Sequence, residues 1–195
     1  METGVTFEAI VLAAGAGVRF GGGKLLATYQ GAPLLHAALA AAQAAPVRSV
    51  TVVTGAGAEA VSAAVRAFAP EIRIVHATDH AEGMAASLRA GVATLAVDTE
   101  GAFLFLGDMP RVPHGVLARL AEAIRGGASA AAPVFQGKRG HPVVLGRELF
   151  AAVANLTGDV GARPLLADLS ERLALVEASD DGVLFDVDSP GDLRP

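Results

Sequence analysis

Short apolar runs rich in β-branched residues recur along the chain, separated by alanine-rich stretches whose apolar positions fall at helical spacing. This alternation constrains the fold more than any other feature. A run that is apolar at nearly every position has to be buried on both faces, and a mainly parallel sheet covered by helices does that. The pattern predicts strands at 7–13, 49–54, 72–76, 102–106, 129–134, 143–145, 173–177 and 183–187. It predicts helices over 33–45, 58–68, 84–96, 113–125, 147–156 and 161–169, with Pro33 and Pro113 as first-turn prolines. No repeat, charged tail or Ser/Pro-rich linker interrupts the 195 residues, so one α/β/α sandwich over 1–195 is expected.

Composition removes several classes of function. Hydrophobic residues make up 52% and charged residues 18% of the chain, which is enough apolar surface to offset the ordering of a backbone this long. No apolar run approaches the ~20 residues of a membrane-spanning helix. The first residues carry acids where a secretory signal would be basic, so a cytoplasmic location is expected. Fifteen basic against twenty acidic residues, with no basic stripe, argue against nucleic-acid binding. With no cysteine, a disulfide framework, a thiolate metal site and a cysteine nucleophile are all excluded, and any metal must be held by oxygen or imidazole.

In open α/β sheets ligands bind beyond the carboxyl ends of the strands, and the segment after the first predicted strand is built for an anion. Gly15, Gly17, Gly21, Gly22 and Gly23 free the backbone N–H groups to converge, while Arg19 and Lys24 supply positive charge. The chain has only two lysines, Lys24 and Lys138, both in glycine-bracketed loops; a compact, mobile ammonium suits a phosphate whose charge changes during reaction. The loop is not a Walker A motif, because Val18 stands where the first glycine should be and Leu25 where the magnesium-binding hydroxyl should be. Nor is it a dinucleotide fingerprint: Gly21 comes one residue late after Gly15 and Gly17, and the second strand ends in Thr54-Gly55 without a ribose-binding acid.

Leu12-Ala13-Ala14-Gly15, then Arg19, then Gly22-Gly23-Lys24 resembles the signature loop of the MobA-like nucleotidyltransferases. The Leu-Ala-Ala-Gly form is similar to the branch that transfers cytidylate to molybdenum cofactor, and four later motifs extend the resemblance over nearly the whole chain. The resemblance implies a Rossmann-like sheet of the nucleotide-diphospho-sugar transferase type, with CTP as nucleotide substrate, Mg²⁺ as cofactor and a molybdopterin-type acceptor. It implies nucleotide binding by Leu12, Ala13, Ala14, Gly15, Gly17, Gly23 and Lys24, with Arg19, Lys24 and Asp108 as the catalytic group. A molybdenum hydroxylase or its maturation chaperone is the implied partner.

The later motifs carry the rest. Gly83-Met84-Ala85-Ala86-Ser87-Leu88 opens the third predicted helix, and the resemblance places Gly83 and Ser87 against the base and ribose. Asp108 ends a buried strand and precedes Met109-Pro110, where a carboxylate facing a phosphate loop suits a hard cation. Asp186 and Asp188 alternate on the last predicted strand and so would share a face. The resemblance gives metal duty to Asp108 and Asp188, with Asp186 as support or alternative ligand. Gly107 departs from relatives that often carry cysteine there. Gly140-His141-Pro142 and Gly158-Asp159-Val160-Gly161-Ala162-Arg163 resemble acceptor-side motifs, which implies acceptor binding by Arg139, His141, Asp159 and Arg163. His76 and His80 lie in a strand end and loop, where their spacing does not guarantee a shared face, and no zinc site is expected. Other acceptors, GTP as donor, an NAD(P)H-dependent oxidoreductase of the nicotine-blue type and a catalytically silent binder are the competing readings.

Overall fold

The computed structural model describes residues 6–193. Its strands are β1 (Phe7–Ala13), β2 (Thr28–Tyr29), β3 (Ala32–Pro33), β4 (Val50–Thr54), β5 (Arg73–His76), β6 (Gly101–Leu106), β7 (Ala130–Phe135), β8 (Lys138–Arg139), β9 (Val143–Gly146) and β10 (Leu173–Glu177). The helices are α1 (Leu34–Ala44), α2 (Ala58–Phe68), α3 (Met84–Val92), α4 (Leu117–Arg125), α5 (Phe150–Val153) and α6 (Arg163–Ala167). The main sheet runs β10-β7-β9-β6-β1-β4-β5, with β8 pairing to β7 off that path. Strands β6, β1, β4 and β5 are mutually parallel, β9 is antiparallel to both its neighbours, and β10 is parallel to β7.

Strand β1 lies inside the sheet because it is apolar on both faces. Phe7, Ala9, Val11 and Ala13 enter one core with Leu35, Ala38 and Leu39 of α1, Val61 and Val65 of α2, and Leu117 and Leu120 of α4. Ile10 enters the opposite core with Ala85 and Leu88 of α3, Val153 of α5 and Leu166 of α6. The period-2 alternation of a strand thus feeds two layers of helices, giving the expected α/β/α sandwich. A Cβ added to Gly91 would stand 2.6 Å from Ile10 Cγ2, so this glycine lets α3 sit close on the sheet. Among the described residues no helix is long and apolar enough to cross a membrane.

Several expected elements differ. Residues 183–187 form no strand: a 3₁₀ turn at Asp181–Val183 leads into irregular chain, so strand alternation does not place Asp186 and Asp188 on one face. Strands β2 and β3, too short to show a period, form a hairpin through Gln30 (φ 49°) and Gly31 (φ 86°), both in the left-handed region that such turns require. Pro33 therefore closes β3 and precedes α1, and Pro113 precedes a 3₁₀ turn at His114–Val116. The helix predicted over 147–156 divides into a 3₁₀ turn at Arg147–Leu149 and α5, and that predicted over 161–169 shrinks to α6, which begins beyond the left-handed Gly161 with Pro164 in its first turn.

Candidate active site

The loop after β1 turns back on itself through two 3₁₀ turns, Val18–Phe20 and Lys24–Leu26, each entered by a left-handed glycine, Gly17 and Gly23. A Cβ on Gly17 would meet Lys24 Cβ at 3.1 Å, so the bare glycine lets the loop close against the lysine. The N–H groups of Gly15, Ala16 and Gly17 have no backbone acceptor among the described residues, which leaves three clustered donors for an anion. Lys24 Nζ lies 2.5 Å from Asp108 Oδ2 at the end of β6, with both side chains mostly shielded from water. Gly107, just before it, is closely packed: a Cβ would meet the Leu12 carbonyl oxygen and Leu35 Cδ1 at 3.1 Å.

A cleft of about 640 Å³ opens above this pair. One side is the loop, from Leu12 to Val18 with Lys24, and the other is the 80–84 segment with Ser87 of α3; Leu106 and Asp108 form the base. Ser87 is buried at its edge. Thus Leu12, Ala13, Ala14, Gly15, Gly17, Lys24, Gly83, Ser87 and Asp108 meet at one cleft, although 96 residues separate the first from the last. Gly23 shapes the loop without lining the cleft, and Arg19 stands on the exposed rim, 4.0 Å from Asp188. His80, Glu82 and Leu106 also line it. His80 is legible only from the fold, because a Cβ on Gly55 would strike its ring at 2.7 Å and so the bare glycine seats it there.

The acidic C-terminal segment reaches the site by docking rather than by joining the sheet. Val187 N–H donates to the Asp108 carbonyl at 3.0 Å, and Val187 is buried with Tyr29 and Leu34 against Phe20, Phe185 and Leu193. Arg111 clamps the segment: its Nε donates to Tyr29 Oη at 3.2 Å, and its guanidinium lies 3.8 Å over the Phe185 ring. The Asp192 carboxylate accepts from the amides of Asp188 and Ser189, fixing the turn that follows. Partial loss of water, then the charges of Asp188 and Asp108, push the Asp186 carboxyl above its ordinary range, opposed by Lys24. Three oxygen-bearing acids that repel one another are the donor chemistry a hard divalent cation fits, and a nucleotide's phosphates commonly complete such a shell. Among the described residues no group of three or more His, Cys, Asp or Glu converges closely enough to hold an ion alone.

A second cavity of about 230 Å³ adjoins the cleft and shares Leu12, Met84, Leu106 and Asp159 with it. Arg139, His141 and Arg163 border a floor that includes Leu88, Leu104 and Val143. Burial holds the His141 imidazole below its ordinary range, so the ring is neutral at pH 7, and its Nδ1 is buried without a hydrogen-bond partner. Lys138 lies exposed on β8 and lines neither space, so the two lysines do not act together.

Residues 9–174 match the model of the MobA-like NTP transferase domain. Nicotine blue oxidoreductase from Paenarthrobacter nicotinovorans is 36% identical over 92% of this chain and 91% of its own length. Molybdenum cofactor cytidylyltransferase from Escherichia coli K12 is 28% identical over 62% of this chain and 60% of its own. Among solved structures, Rv0371c from Mycobacterium tuberculosis H37Rv superposes with a TM-score of 0.86 at 29% identity, covering 97% of this chain and 96% of that one. A complex of the same mycobacterial protein with manganese matches at a TM-score of 0.75 and 26% identity, over 89% and 88% of the two chains. With the glycine loop, the strand-end aspartate and this match across most of the sequence, the chain belongs to the MobA-like NTP transferase domain family.

Proposed function

We propose that the protein transfers CMP from CTP to the terminal phosphate of a molybdopterin-type acceptor and releases pyrophosphate. The observation that carries this reading is the meeting of the free loop amides, Lys24 and Asp108 at one cleft, with a second cavity opening directly beside it. The cleft takes the nucleotide, with Gly83 and Ser87 beside the base and ribose. The second cavity takes the acceptor, bordered by Arg139, His141, Asp159 and Arg163.

The acceptor phosphate attacks the α-phosphorus, a new P–O bond forms, and the bond to the pyrophosphate oxygen breaks. A phosphate monoester is already anionic near neutral pH, so positioning and charge neutralisation carry the rate without a general base. Lys24 and the Gly15 to Gly17 amides neutralise the leaving pyrophosphate, with Arg19 reaching in from the rim. Asp108 and Asp188, with Asp186 as support or alternative ligand, would hold Mg²⁺, which would supply Lewis-acid polarisation of the phosphoryl oxygens. Cytoplasmic work beside a molybdenum hydroxylase or its maturation chaperone accords with this chemistry.

A second reading has its own support in the 36% identity to nicotine blue oxidoreductase. The loop's glycine spacing and the Thr54-Gly55 end of β4, which carries no acid, count against a nicotinamide dinucleotide there. One experiment separates the readings: pyrophosphate release with CTP, GTP, ATP and UTP, each with Mg²⁺ and with or without molybdenum cofactor. Cofactor-dependent release largely confined to CTP is expected; preference for GTP would move the chain to a guanylyltransferase. NAD(P)H consumption with a quinone-like dye, without pyrophosphate release, would establish the oxidoreductase instead. Nucleotide binding without either reaction would make the protein a silent binder.

A further inference from the structure

The cleft and the second cavity are separated by a thin wall made of two loops, residues 79–83 and 157–161, which meet over the start of α3. Ala85 N–H donates to the Gly158 carbonyl at 3.0 Å, and Met84 N–H donates to Asp159 Oδ1 at 3.1 Å. A Cβ on Gly83 would lie 2.6 Å from the Gly158 carbonyl group, and one on Gly161 would lie 2.7 Å from Met84 Sδ. At Gly83 the contact is therefore backbone against backbone, while at Gly161 it is backbone against the Met84 side chain. Gly83 faces the cleft, Gly161 the second cavity, and Met84 and Asp159 line both.

Residues 157–160 are exposed and residues 79–83 half-buried to exposed, and both loops carry little apolar surface of their own, so their register depends on a fastening. Arg89, one turn further along α3, supplies it. Its Nη1 donates to the Leu156 carbonyl at 2.7 Å, immediately before the 157–161 loop. Its Nη2 donates to Asp79 Oδ2 at 2.7 Å and to Glu82 Oε2 at 3.2 Å, at the two ends of the other loop. The guanidinium keeps the Asp79 carboxyl below its ordinary range, as a direct charged hydrogen bond should. An exposed ion pair on one element contributes little to stability. Here one planar fork reaches three acceptors on two separate segments, which a lysine's single nitrogen cannot reproduce.

We propose that Arg89 is a positioning residue that sets the wall between the two cavities and thereby the placement of both the nucleotide and the second substrate. This rests on the nucleotide-binding reading of the cleft. Arg89 lines neither cavity, so its effect passes through Gly83, Met84 and Asp159. Displacement of such a wall by about 1 Å is enough to spoil alignment of reacting groups.

The test compares wild type, Arg89→Met and Arg89→Lys in the full chain by amide hydrogen exchange at Met84 and Ala85, by calorimetric binding of CTP with Mg²⁺, and by melting temperature. Exchange at both amides is expected to rise at least tenfold in Arg89→Met, and CTP affinity to fall about tenfold. Arg89→Lys is expected to fall between, with a melting temperature near wild type. Where turnover is measurable, KM for both substrates rises together and kcat falls at least tenfold, as loss of alignment requires. Unchanged exchange in both variants would overturn the proposal, as would loosened amides with CTP affinity within twofold of wild type. If wild type binds neither CTP nor GTP, the nucleotide reading fails, and the exchange measurement alone decides whether Arg89 sets the wall.

Discussion

Asp108 has two demands on it at once. Its backbone carbonyl receives Val187 N–H and anchors the acidic segment, while its carboxylate sits 2.5 Å from Lys24 Nζ. Only the second demand depends on the side-chain charge. Asp108→Asn keeps the shape and the backbone bond, so under the proposed reaction it is expected to lower nucleotidyl transfer by about 10²–10³-fold, the cost typical of losing one charge-stabilising group. Its melting temperature should stay within a few degrees of wild type, since the pair lies at the base of the cleft and in neither hydrophobic core. An active Asp108→Asn enzyme with normal metal dependence would remove this residue from the proposed metal site. The glycine loop, the strand-end acid and the Gly83 to Ser87 segment were all legible as residues, because each follows a predicted strand. His80 and Arg89 were not: one is seated by Gly55 and the other acts through two loops, and neither relation leaves a local pattern.

At the scale of elements, the C-terminal segment shows how a wrong expectation arises. Residues 183–187 read Val-Leu-Phe-Asp-Val, a short apolar run like that of a buried strand, yet they dock across Gly140 and Gly182 without joining the ladder. A Cβ on Gly140 would collide with the Val183 carbonyl, and His141 N–H donates to that same oxygen at 2.8 Å. A short apolar run reports burial and not pairing, and a docked strap satisfies it as well as a strand does. Gly140→Ala should therefore lift the strap and the acids it carries. Affinity for Mn²⁺ in the presence of CTP, read by electron paramagnetic resonance, should fall at least tenfold, with a stability loss of about 1–3 kcal/mol from the forced shift. Wild-type ion binding in Gly140→Ala would show that the strap's position does not govern the acids.

Across the whole molecule, function and stability occupy opposite ends of the sheet. The cleft lies at the carboxyl ends of β1 and β6, whereas Glu8, near the start of β1, is buried in a polar knot at the other end. It accepts from Arg48 Nη2 at 3.0 Å, Ser49 Oγ at 2.9 Å, Ala96 N–H at 3.0 Å and Thr99 Oγ1 at 2.6 Å. Burial alone would raise the Glu8 carboxyl; these four bonds outweigh it and hold the group below its ordinary 4.5. A folded-state value below the unfolded one means the unfolded chain binds the proton first. The contribution of Glu8 is thus present above pH 4.5 and lost as pH falls through the folded value. Glu8→Gln should cost about 2 kcal/mol in urea unfolding at pH 7, the order expected for breaking a satisfied buried group. That difference should shrink as the pH falls below 4.5, with the cleft's ligand binding untouched. An equal difference at every pH would place the stabilisation in packing instead of charge. The sequence by itself determined the sandwich and the loops that face a ligand, because burial on two faces and glycine-rich strand ends are local properties of the chain. Only the tertiary structure decided that β9 runs antiparallel, that the acids arrive on a strap and that two loops wall off two cavities. Those outcomes depend on contacts between segments far apart in sequence, where close backbone approach at single glycines selects the arrangement.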